Sequence, residues 1–541
     1  MGAYAIITGL NPVRIAKTAK IVAAIVLLNA SLTFQNRWPT PAIRWQNALS
    51  IELAALVLAL ALASQWRGRP SRLLLNVLAA LFVVLVISRY AFVTAPALYG
   101  RDVNLYWDMR FIPDVAAMLT RAAPLWIVIS IVAGALLVLG LLFALLRWAL
   151  ARVGDAIADA RGRRVLGVVA AALVVVFTGQ QLSARVPRVP TFTVPLTESY
   201  LDQLRYLRDA ITRSKSLPES PAMDSDLSLV KGADVYLVFL ESYGAVTYER
   251  PEMAARLVES RARFESDLTA GNRHVVSAFV ESPTFGGNSW LAHLSLLSGV
   301  EVKDEDTNWL LMGQKRETLV KAFTHRGFRA VGLMPGQRET WPEGAFYGFD
   351  DIYGIERLAY HGPAFGWFVV PDQWSLARLD ALEAHRTQPL FVMFPTMSTH
   401  IPFIPLPPYQ PDWSRMLTGH PYDAADQARE LAREPEWLNM GLSYTEAVAY
   451  DFTVLGGYLR AHADRDIVMI VLGDHQPAAV VSGEGAPWDV PVHIIASRQE
   501  ILDRLVARGF RAGLTPSRPS LSHMHALLPV LLDAFGNREA R

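Results

Sequence analysis

The chain has 541 residues, of which 52% are hydrophobic, and its formal net charge is +1. A balanced charge provides no field to recruit nucleic acid, and the sequence contains no Walker-type loop or dinucleotide fingerprint, so we expect no nucleic-acid partner. The absence of cysteine excludes a disulfide framework, a thiolate metal site and a cysteine nucleophile.

The hydrophobic excess lies in residues 1–182 and predicts a transmembrane domain of five helices. Each apolar segment is near the ~20 residues needed to cross a bilayer. The first is not a cleavable signal peptide, because no small-residue cleavage site follows it. The predicted spans cover about residues 17–34, 47–65, 73–93, 123–146 and 165–181.

The lysines and arginines that flank these segments predict the orientation. Eleven of them lie on the side of the amino terminus and five on the other side. The positive-inside rule therefore places the amino terminus in the cytoplasm. Five crossings then put everything after about residue 182 outside the cytoplasm.

Residues 183–232 connect this domain to a second one. Residues 200–211 have apolar side chains at helical spacing and predict an amphipathic helix on the membrane surface. Further on, three apolar runs rich in Val, Ile and Phe predict buried strands over 235–240, 390–394 and 467–472. We expect an α/β domain over 233–541, with a central, mostly parallel sheet flanked by helices.

Each of these three strands runs into side chains that can bind a metal. Glu241 follows the first, His400 follows the second after a short loop, and Asp474 and His475 follow the third. In open α/β sheets ligands bind beyond the carboxyl ends of the strands. The pattern predicts one metal-centred site, and its mixed oxygen and nitrogen donors suit Zn²⁺ or Mn²⁺.

Ser289 is the candidate nucleophile. It follows a turn that contains Gly286 and Gly287, and an apolar helical pattern begins after it. A hydroxyl at a helix amino terminus lies where negative charge is favoured, and a bound metal lowers its pKa. The alternative is that Ser289 is only a helix cap.

Together these motifs resemble the alkaline phosphatase/sulfatase superfamily. They are similar to its membrane-anchored branch of lipoteichoic acid synthases, phosphoglycerol transferases and phosphoethanolamine transferases. The motifs are FLES at 239–242, the turn and helix of Ser289, STHIPF around His400 and LGDHQ at 472–476. The resemblance implies a sulfatase-like domain in which Glu241, Ser289, Asp474 and His475 bind the metal. It also implies that Ser289 is the nucleophile.

The same resemblance gives three residues a role toward substrate. His400 is similar to the family histidine that contacts the substrate phosphate, and Trp341, after Arg338, resembles a tryptophan of the headgroup pocket. The family has an arginine two residues after that tryptophan, whereas this chain has Glu343, and we expect Arg338 to supply the missing charge. The sulfatase signature after the nucleophile is absent, with His293 in the place of its arginine.

The resemblance implies a multi-pass protein of the bacterial inner membrane with its catalytic domain in the periplasm. The expected reaction is metal-dependent transfer of a phospholipid headgroup, phosphoglycerol before phosphoethanolamine, to a glycan or lipid acceptor through a phospho-serine. One alternative is a membrane-tethered phosphodiesterase, phosphatase or sulfatase-like hydrolase, and another is a catalytically silent scaffold. Elsewhere, we expect His493 and Asp451 to be structural, whereas His293 either contacts substrate or packs locally.

Overall fold

In a computed structural model the chain forms two compact units. One comprises Met1–Ala97 with Arg101–Thr212, and the other comprises Leu98–Gly100 with Arg213–Arg541. Part of the predicted connection (184–190 and 213–216) and the first two residues of the predicted fourth span lie outside the described residues. The structure describes residues 12–37, 40–99, 102–109, 112, 125–183, 191–212, 217–338, 341, 343–366, 370–436 and 439–537.

The first unit is mainly helical. Apolar side chains of its long helices pack into one buried cluster. Two short strands, β1 (Gln35–Asn36) and β2 (Ile43–Arg44), pair antiparallel. The helices are α1 Pro12–Thr33, α2 Ile51–Arg67, α3 Arg72–Tyr99, α4 Leu105–Asp108, α5 Leu125–Ala158, α6 Ala160–Leu182 and α7 Leu196–Thr212.

Four helices in the described part of the chain are long and apolar enough to cross a membrane, so the expectation of five is wrong by this measure. The exception is α2, which has 17 residues. At 1.5 Å per residue it is roughly 26 Å long, slightly short of a bilayer core of about 30 Å. The four are Ile15–Thr33, Arg72–Leu98, Leu125–Ala158 and Ala160–Leu182.

The late start of α2 has a local cause. Leu49 is in extended backbone and its N–H donates to the carbonyl of Thr191 at 2.9 Å. Ser50 then caps the helix, its hydroxyl accepting from the N–H of Leu53 at 3.2 Å. The predicted span over 47–65 therefore loses its first turn to this pairing.

The predicted amphipathic helix is confirmed as α7. The carboxylate of Glu52, on α2, accepts the N–H of Leu196 at 2.6 Å, at the amino terminus of α7. Leu204 and Ile211 leave 60% and 68% of their surface exposed. The helix therefore presents apolar side chains outward, as the sequence pattern predicts.

The second unit contains one eight-stranded sheet, in the order β10-β4-β9-β8-β3-β7-β5-β6. From β8 to β6 the neighbours are parallel, and β9, β4 and β10 continue the sheet antiparallel. The strands are β3 Asp234–Leu240, β4 His274–Glu281, β5 Arg329–Leu333, β6 Asp351–Tyr353, β7 Leu390–Pro395, β8 Ile467–Gly473, β9 Asp489–Ala496 and β10 Arg511–Ala512.

Helices cover both faces of this sheet. Alternate residues of β3 belong to two separate apolar clusters, one on each face, so the central strands are buried on both sides. The helices are α8 Val246–Glu249, α9 Pro251–Arg256, α10 Val258–Ala270, α11 Ser289–Ser298, α12 Glu305–Met312, α13 Leu319–Thr324, α14 Glu343–Tyr347, α15 Ile355–Leu358, α16 Asp372–Leu382, α17 Ala424–Leu431, α18 Gly441–Ala461, α19 Ala479–Ser482, α20 Gln499–Val506 and α21 Leu527–Phe535.

The three predicted strands are adjacent in this sheet as β7, β3 and β8. Because they are parallel, their carboxyl ends meet at one edge. Phe239 lies opposite both Pro395 of β7 and Leu472 of β8. The residues that follow these strands therefore come together, which confirms the predicted mostly parallel α/β domain.

Candidate active site

Two neighbouring strands each lead into an acidic residue. Leu240 of β3 lies opposite Gly473 of β8, and the next residues along the chain are Glu241 and Asp474. Both acidic side chains are buried. Burying a carboxylate costs free energy unless it is paired or hydrogen-bonded. The partners of these two groups therefore define the site.

Ser289 reaches the same edge from a helix terminus. Asn288 occupies the cap position of α11 in a left-handed conformation, with φ 58°, and Ser289 is the first helical residue. The Ser289 hydroxyl donates to Oε2 of Glu241 at 2.7 Å and lies 3.1 Å from Nε2 of His475. The hydroxyl is thus directed at the acidic cluster, and the cap position belongs to Asn288.

Four side chains from three distant parts of the sequence are therefore close in space. One ligand atom from each of Glu241, Asp474 and His475 lies within 4.8 Å of the others. Nε2 of His475 is 3.4 Å from Oε1 of Glu241 and 3.8 Å from Oδ1 of Asp474. With Ser289, these are the four residues that the sequence assigns to the metal.

Backbone groups orient two of the donors. Nδ1 of His475 is 2.7 Å from the carbonyl of Gln476, and because a carbonyl only accepts, Nδ1 carries the proton and Nε2 faces the cluster. Oδ1 of Asp474 accepts the N–H groups of Ser242 at 2.8 Å and His475 at 2.7 Å. Its Oδ2 is buried and has no hydrogen-bond partner in the described structure.

The charges of the cluster are strongly coupled. Burial opposes ionisation of Glu241, but His475 outweighs it and holds the pKa of this carboxyl well below its ordinary value. Burial also disfavours the charged imidazole, yet Asp474 and Glu241 together raise the pKa of His475 to about 9. Burial and the charge of Glu241 raise the pKa of Asp474 well above its ordinary value. The cluster therefore needs additional positive charge to ionise fully.

These donors fit a divalent cation. Carboxylate oxygens, an imidazole nitrogen and a serine oxygen are a mixed set that suits Zn²⁺ or Mn²⁺. The unpartnered Oδ2 of Asp474 has lone pairs available to a cation. The coupled carboxylates are the groups that a cation stabilises.

His400 lies in the loop over residues 396–400, which follows β7. Its Nδ1 is 2.7 Å from the carbonyl of Ile401. The charge of His400 also contributes to the low pKa of Glu241, so the imidazole lies within electrostatic range of the cluster. The contact of His400 with a substrate phosphate stays a prediction.

Trp341 and Arg338 are the predicted headgroup residues. The ring of Trp341 stacks on Tyr347 with centroids 6.3 Å apart, and it packs against the apolar cluster on one face of the sheet. Among the described residues, no hydrogen bond or ion pair links Trp341 or Arg338 to the acidic cluster. Glu343 begins α14 and accepts from Asn308 at 3.4 Å. The substrate roles of Trp341 and Arg338 stay predictions.

The sequence analysis missed Ser242 as a supporting residue and left the role of His293 open. Ser242, at φ 56°, turns the chain so that its hydroxyl donates to Oε1 of Glu241 at 3.0 Å. Nε2 of His293 is 4.0 Å from Oδ2 of Asp474, and its ring packs on Phe239 with centroids 4.3 Å apart. The four-residue spacing from Ser289 signals this placement, because it puts both side chains on one face of α11.

The loops after β3 and β8 are tightly interlocked. A Cβ atom added to Gly244 would overlap the side chain of Gln476. The side-chain carbonyl of Gln476 also accepts the N–H of Val246 at 3.3 Å. Only glycine fits at position 244, so this close approach fixes the two ligand-bearing loops against one another.

Comparisons with known proteins give structural matches only: no protein-family model and no curated protein matches the chain. Lipooligosaccharide phosphoethanolamine transferase A, an integral membrane protein from Neisseria meningitidis, is 14% identical, covers 97% of each chain and has a TM-score of 0.47. The lipoteichoic acid synthase LtaP from Listeria monocytogenes is 13% identical over 54% of this chain and 70% of its own (TM-score 0.36).

A third similar structure is the phosphoglycerol transferase GacH from Streptococcus pyogenes, in complex with sn-glycerol-1-phosphate. It is 14% identical, covers 65% of this chain and 89% of its own, and has a TM-score of 0.34. The three solved structures are thus a phosphoethanolamine transferase, a lipoteichoic acid synthase and a phosphoglycerol transferase.

Proposed function

We propose that this protein is a membrane-anchored, metal-dependent transferase that moves the headgroup phosphate of a phospholipid to a hydroxyl of a glycan or lipid acceptor. Phosphoglycerol is the favoured headgroup and phosphoethanolamine the alternative. The observation that carries the proposal is the position of the Ser289 hydroxyl, 2.7 Å from Glu241 and 3.1 Å from His475 at the start of a helix. A serine that only caps a helix has no need of a buried carboxylate and an imidazole as partners.

The reaction consists of two displacements at phosphorus. In the first, the bond from Ser289 Oγ to phosphorus forms and the bond to diacylglycerol breaks; the serine proton leaves to solvent, and His400 or water protonates the departing alkoxide. In the second, the acceptor hydroxyl forms a bond to phosphorus and loses its proton to solvent, while the bond from phosphorus to Ser289 Oγ breaks and the serine is reprotonated. A covalent intermediate divides one difficult transfer into two easier ones.

The chain's own groups prepare Ser289 for this role. Glu241, Asp474, His475 and Ser289 are the residues that would hold the cation, and a bound Zn²⁺ or Mn²⁺ lowers the pKa of a hydroxyl and neutralises phosphoryl charge. The amino terminus of α11 favours the developing negative charge. Glu241 accepts the serine hydrogen bond and so fixes the direction of the Oγ lone pairs.

A lipid donor agrees with the apolar helices of the first unit. We infer that the second unit lies outside the cytoplasm, in the periplasm of a bacterium; the charge bias supports this orientation, provided that the shorter helix α2 crosses the membrane together with the four longer ones. Outside the cytoplasm ATP is not the donor, whereas a phospholipid is present at the membrane surface. A transfer enzyme anchored by several helices remains beside such a donor.

The proposal is tested by the intact mass of the full-length protein after incubation with phosphatidylglycerol or with phosphatidylethanolamine. We expect an adduct on Ser289 whose mass identifies the headgroup, and no adduct on Ser289→Ala. Labelled lipid is then supplied with and without a glycan acceptor. Headgroup on the glycan supports transfer, whereas free headgroup phosphate alone supports a hydrolase. Full function of Ser289→Ala in cells would indicate a scaffold.

A further inference from the structure

Two buried acidic residues lie beneath the loop that carries His400. Asp372 is the first residue of α16 and Asp451 is in the middle of α18. Their exposed fractions are 1% and 0%. Neither is a candidate ligand of the metal, and the proposed reaction uses neither. Both form hydrogen bonds with residues of the 396–400 loop.

Asp451 connects this loop to a metal ligand. Its Oδ2 accepts the hydroxyls of Thr396 at 3.1 Å and Thr399 at 3.2 Å. The Thr396 oxygen in turn accepts the backbone N–H of Glu241 at 3.2 Å. One carboxyl oxygen therefore orients the residue before His400 and, through Thr396, the backbone of Glu241. The other oxygen, Oδ1, has no partner in the described part of the chain.

Asp372 holds the middle of the same loop. Its Oδ1 accepts the N–H of Met397 at 2.8 Å, and its Oδ2 accepts the N–H of Ser398 at 2.7 Å as well as the Ser398 hydroxyl. Four consecutive residues before His400 thus hydrogen-bond to one of two buried carboxyl groups. A loop held at every residue presents its last side chain in a fixed direction.

The two carboxyl groups differ in their charge. Burial and the charge of Asp372 raise the pKa of Asp451 well above its ordinary value, which favours its neutral form. Burial raises the pKa of Asp372 only to about 6, because Ser398 and Met397 donate to its charged form. Asp372 is then an ionised acceptor, and Asp451 keeps one oxygen for its proton.

We propose that Asp372 and Asp451 are positioning residues of the active site, which fix the 396–400 loop and through it the placement of His400 and Glu241. This inference extends the proposed function, and its test by the rate of headgroup transfer depends on that function. Its metal-binding readout is independent of any lipid substrate.

The proposal predicts opposite outcomes for two chemically equal substitutions. Asp451→Asn keeps an oxygen for the two threonines and puts an amide where the neutral acid has its hydroxyl, so transfer stays within about threefold of wild type. In Asp372→Asn, the side-chain N–H₂ replaces one of two oxygens that each accept a backbone N–H. Whichever way the amide is turned, two donors then face each other. That variant loses about tenfold to a hundredfold in kcat, with little change in KM, because a misplaced catalytic group reduces the rate.

A second series isolates the Asp451 bonds in the full-length protein. Asp451→Leu and Thr399→Val each lower kcat, and the double variant is no slower than Asp451→Leu alone, because both remove the same support. Thr396→Val and Asp451→Leu weaken Mn²⁺ or Zn²⁺ binding, measured by calorimetry, by about tenfold. Thr445→Val is the matched control, since this hydroxyl on α18 donates to its own helix, 2.8 Å from the Leu442 carbonyl.

Thermal unfolding gives the folded fraction of each variant at the assay temperature, and the measured rates are divided by that fraction. Three results would each overturn the positioning role. The first is wild-type kcat and metal affinity in folded Asp451→Leu, and the second is an equal loss of activity in Asp451→Asn and Asp451→Leu. The third is that the effects of Thr399→Val and Asp451→Leu on kcat multiply in the double variant. If the wild type binds the cation but forms no headgroup adduct, the proposed function fails. The metal affinities of Thr396→Val and Asp451→Leu then still decide this inference.

Discussion

The imidazole of His475 and the carbonyl of Gln476 are joined by a 2.7 Å hydrogen bond from Nδ1. This bond fixes the tautomer that a metal ligand needs, with Nε2 toward Ser289 and Glu241. The same Nε2 binds a proton with a pKa raised to about 9, because the charges of Asp474 and Glu241 outweigh burial. Cation and proton therefore compete for one nitrogen.

We expect metal binding to release at least about one proton at pH 7, since His475 must be neutral to coordinate. Protonated His475 predominates below pH 9, so the apparent affinity rises about tenfold per pH unit from 7 to 9. Calorimetry in two buffers of different ionisation enthalpy measures the released protons. Binding without proton release would contradict this placement of the cation.

Asp474→Asn should separate metal binding from folding. The amide oxygen can replace Oδ1 as acceptor for Ser242 and His475, and the amide nitrogen takes the place of the unpartnered Oδ2. We expect affinity for Mn²⁺ or Zn²⁺ to fall at least about a hundredfold.

In chelator, by contrast, we expect the free energy of unfolding of Asp474→Asn to stay close to that of wild type, because burial and the charge of Glu241 already favour the neutral form of Asp474, which the amide resembles. Thermal unfolding with chelator measures the second effect. A destabilised variant in chelator would indicate that the carboxylate is structural.

The serine hydroxyl should be required for the covalent step alone. We expect Ser289→Ala to form no headgroup adduct but to bind the cation, since three other ligands remain. Ser289→Thr retains a hydroxyl and should form some adduct. Ser298→Ala, on the same helix, is the control, because its hydroxyl donates to the Leu294 carbonyl at 2.7 Å and lies outside the cluster. Intact mass after lipid incubation reports all three.

Buried His493 should make the protein sensitive to acid. The Ser277 hydroxyl donates to Gly513 at 2.6 Å, so it accepts from Nδ1 of His493 at 2.6 Å, and Nε2 accepts from Tyr243 at 3.0 Å. Burial lowers the pKa of His493 to about 3. Below about pH 6.5 the unfolded chain binds a proton at this imidazole and the folded chain does not. The free energy of unfolding therefore falls by up to ~1.4 kcal/mol for each pH unit of acidification.

His493→Gln removes this proton linkage. We expect the variant to be less stable than wild type at pH 7.5, because it loses satisfied hydrogen bonds, but to lose less stability on going to pH 5. Chemical unfolding at the two pH values, with chelator in both, measures the difference. Equal losses in the two proteins would contradict a neutral buried imidazole.

The absence of cysteine allows a direct test of topology by single-cysteine labelling. We expect α2 to cross the membrane despite its 17 residues, because spans of about this length occur. An impermeant thiol reagent added outside cells should then label Gln46→Cys and Asp464→Cys but not Arg69→Cys. Labelling of Gln46→Cys and Arg69→Cys alike would leave four crossings and place the second unit in the cytoplasm.

The central sheet and the metal cluster could be predicted from sequence because their signals are local. Apolar runs identify β3, β7 and β8 as buried strands, and the residue after a strand takes its position from the register. Ser289 likewise follows from a glycine turn and a helical pattern, although the cap is Asn288.

The supporting residues could not be predicted, since they depend on pairings across the fold. Asp451 is 55 residues from Thr396, and its location in a helical segment suggests only a structural role. The length of α2 was misjudged for the same reason. Its first turn is lost because Leu49 pairs with Thr191, more than a hundred residues away.

The absence of a side chain at Gly244 has a consequence for how the ion arrives. The side chain of Gln476 occupies the position that a side chain at 244 would take. The segments that carry Glu241 and Asp474 therefore move relative to one another only if the ends of β3 and β8 separate. A cation bound as proposed would therefore meet side chains that are already in place, and its binding would require little ordering of the chain. Removing the ion should leave amide exchange in β3 and β8 as slow as before.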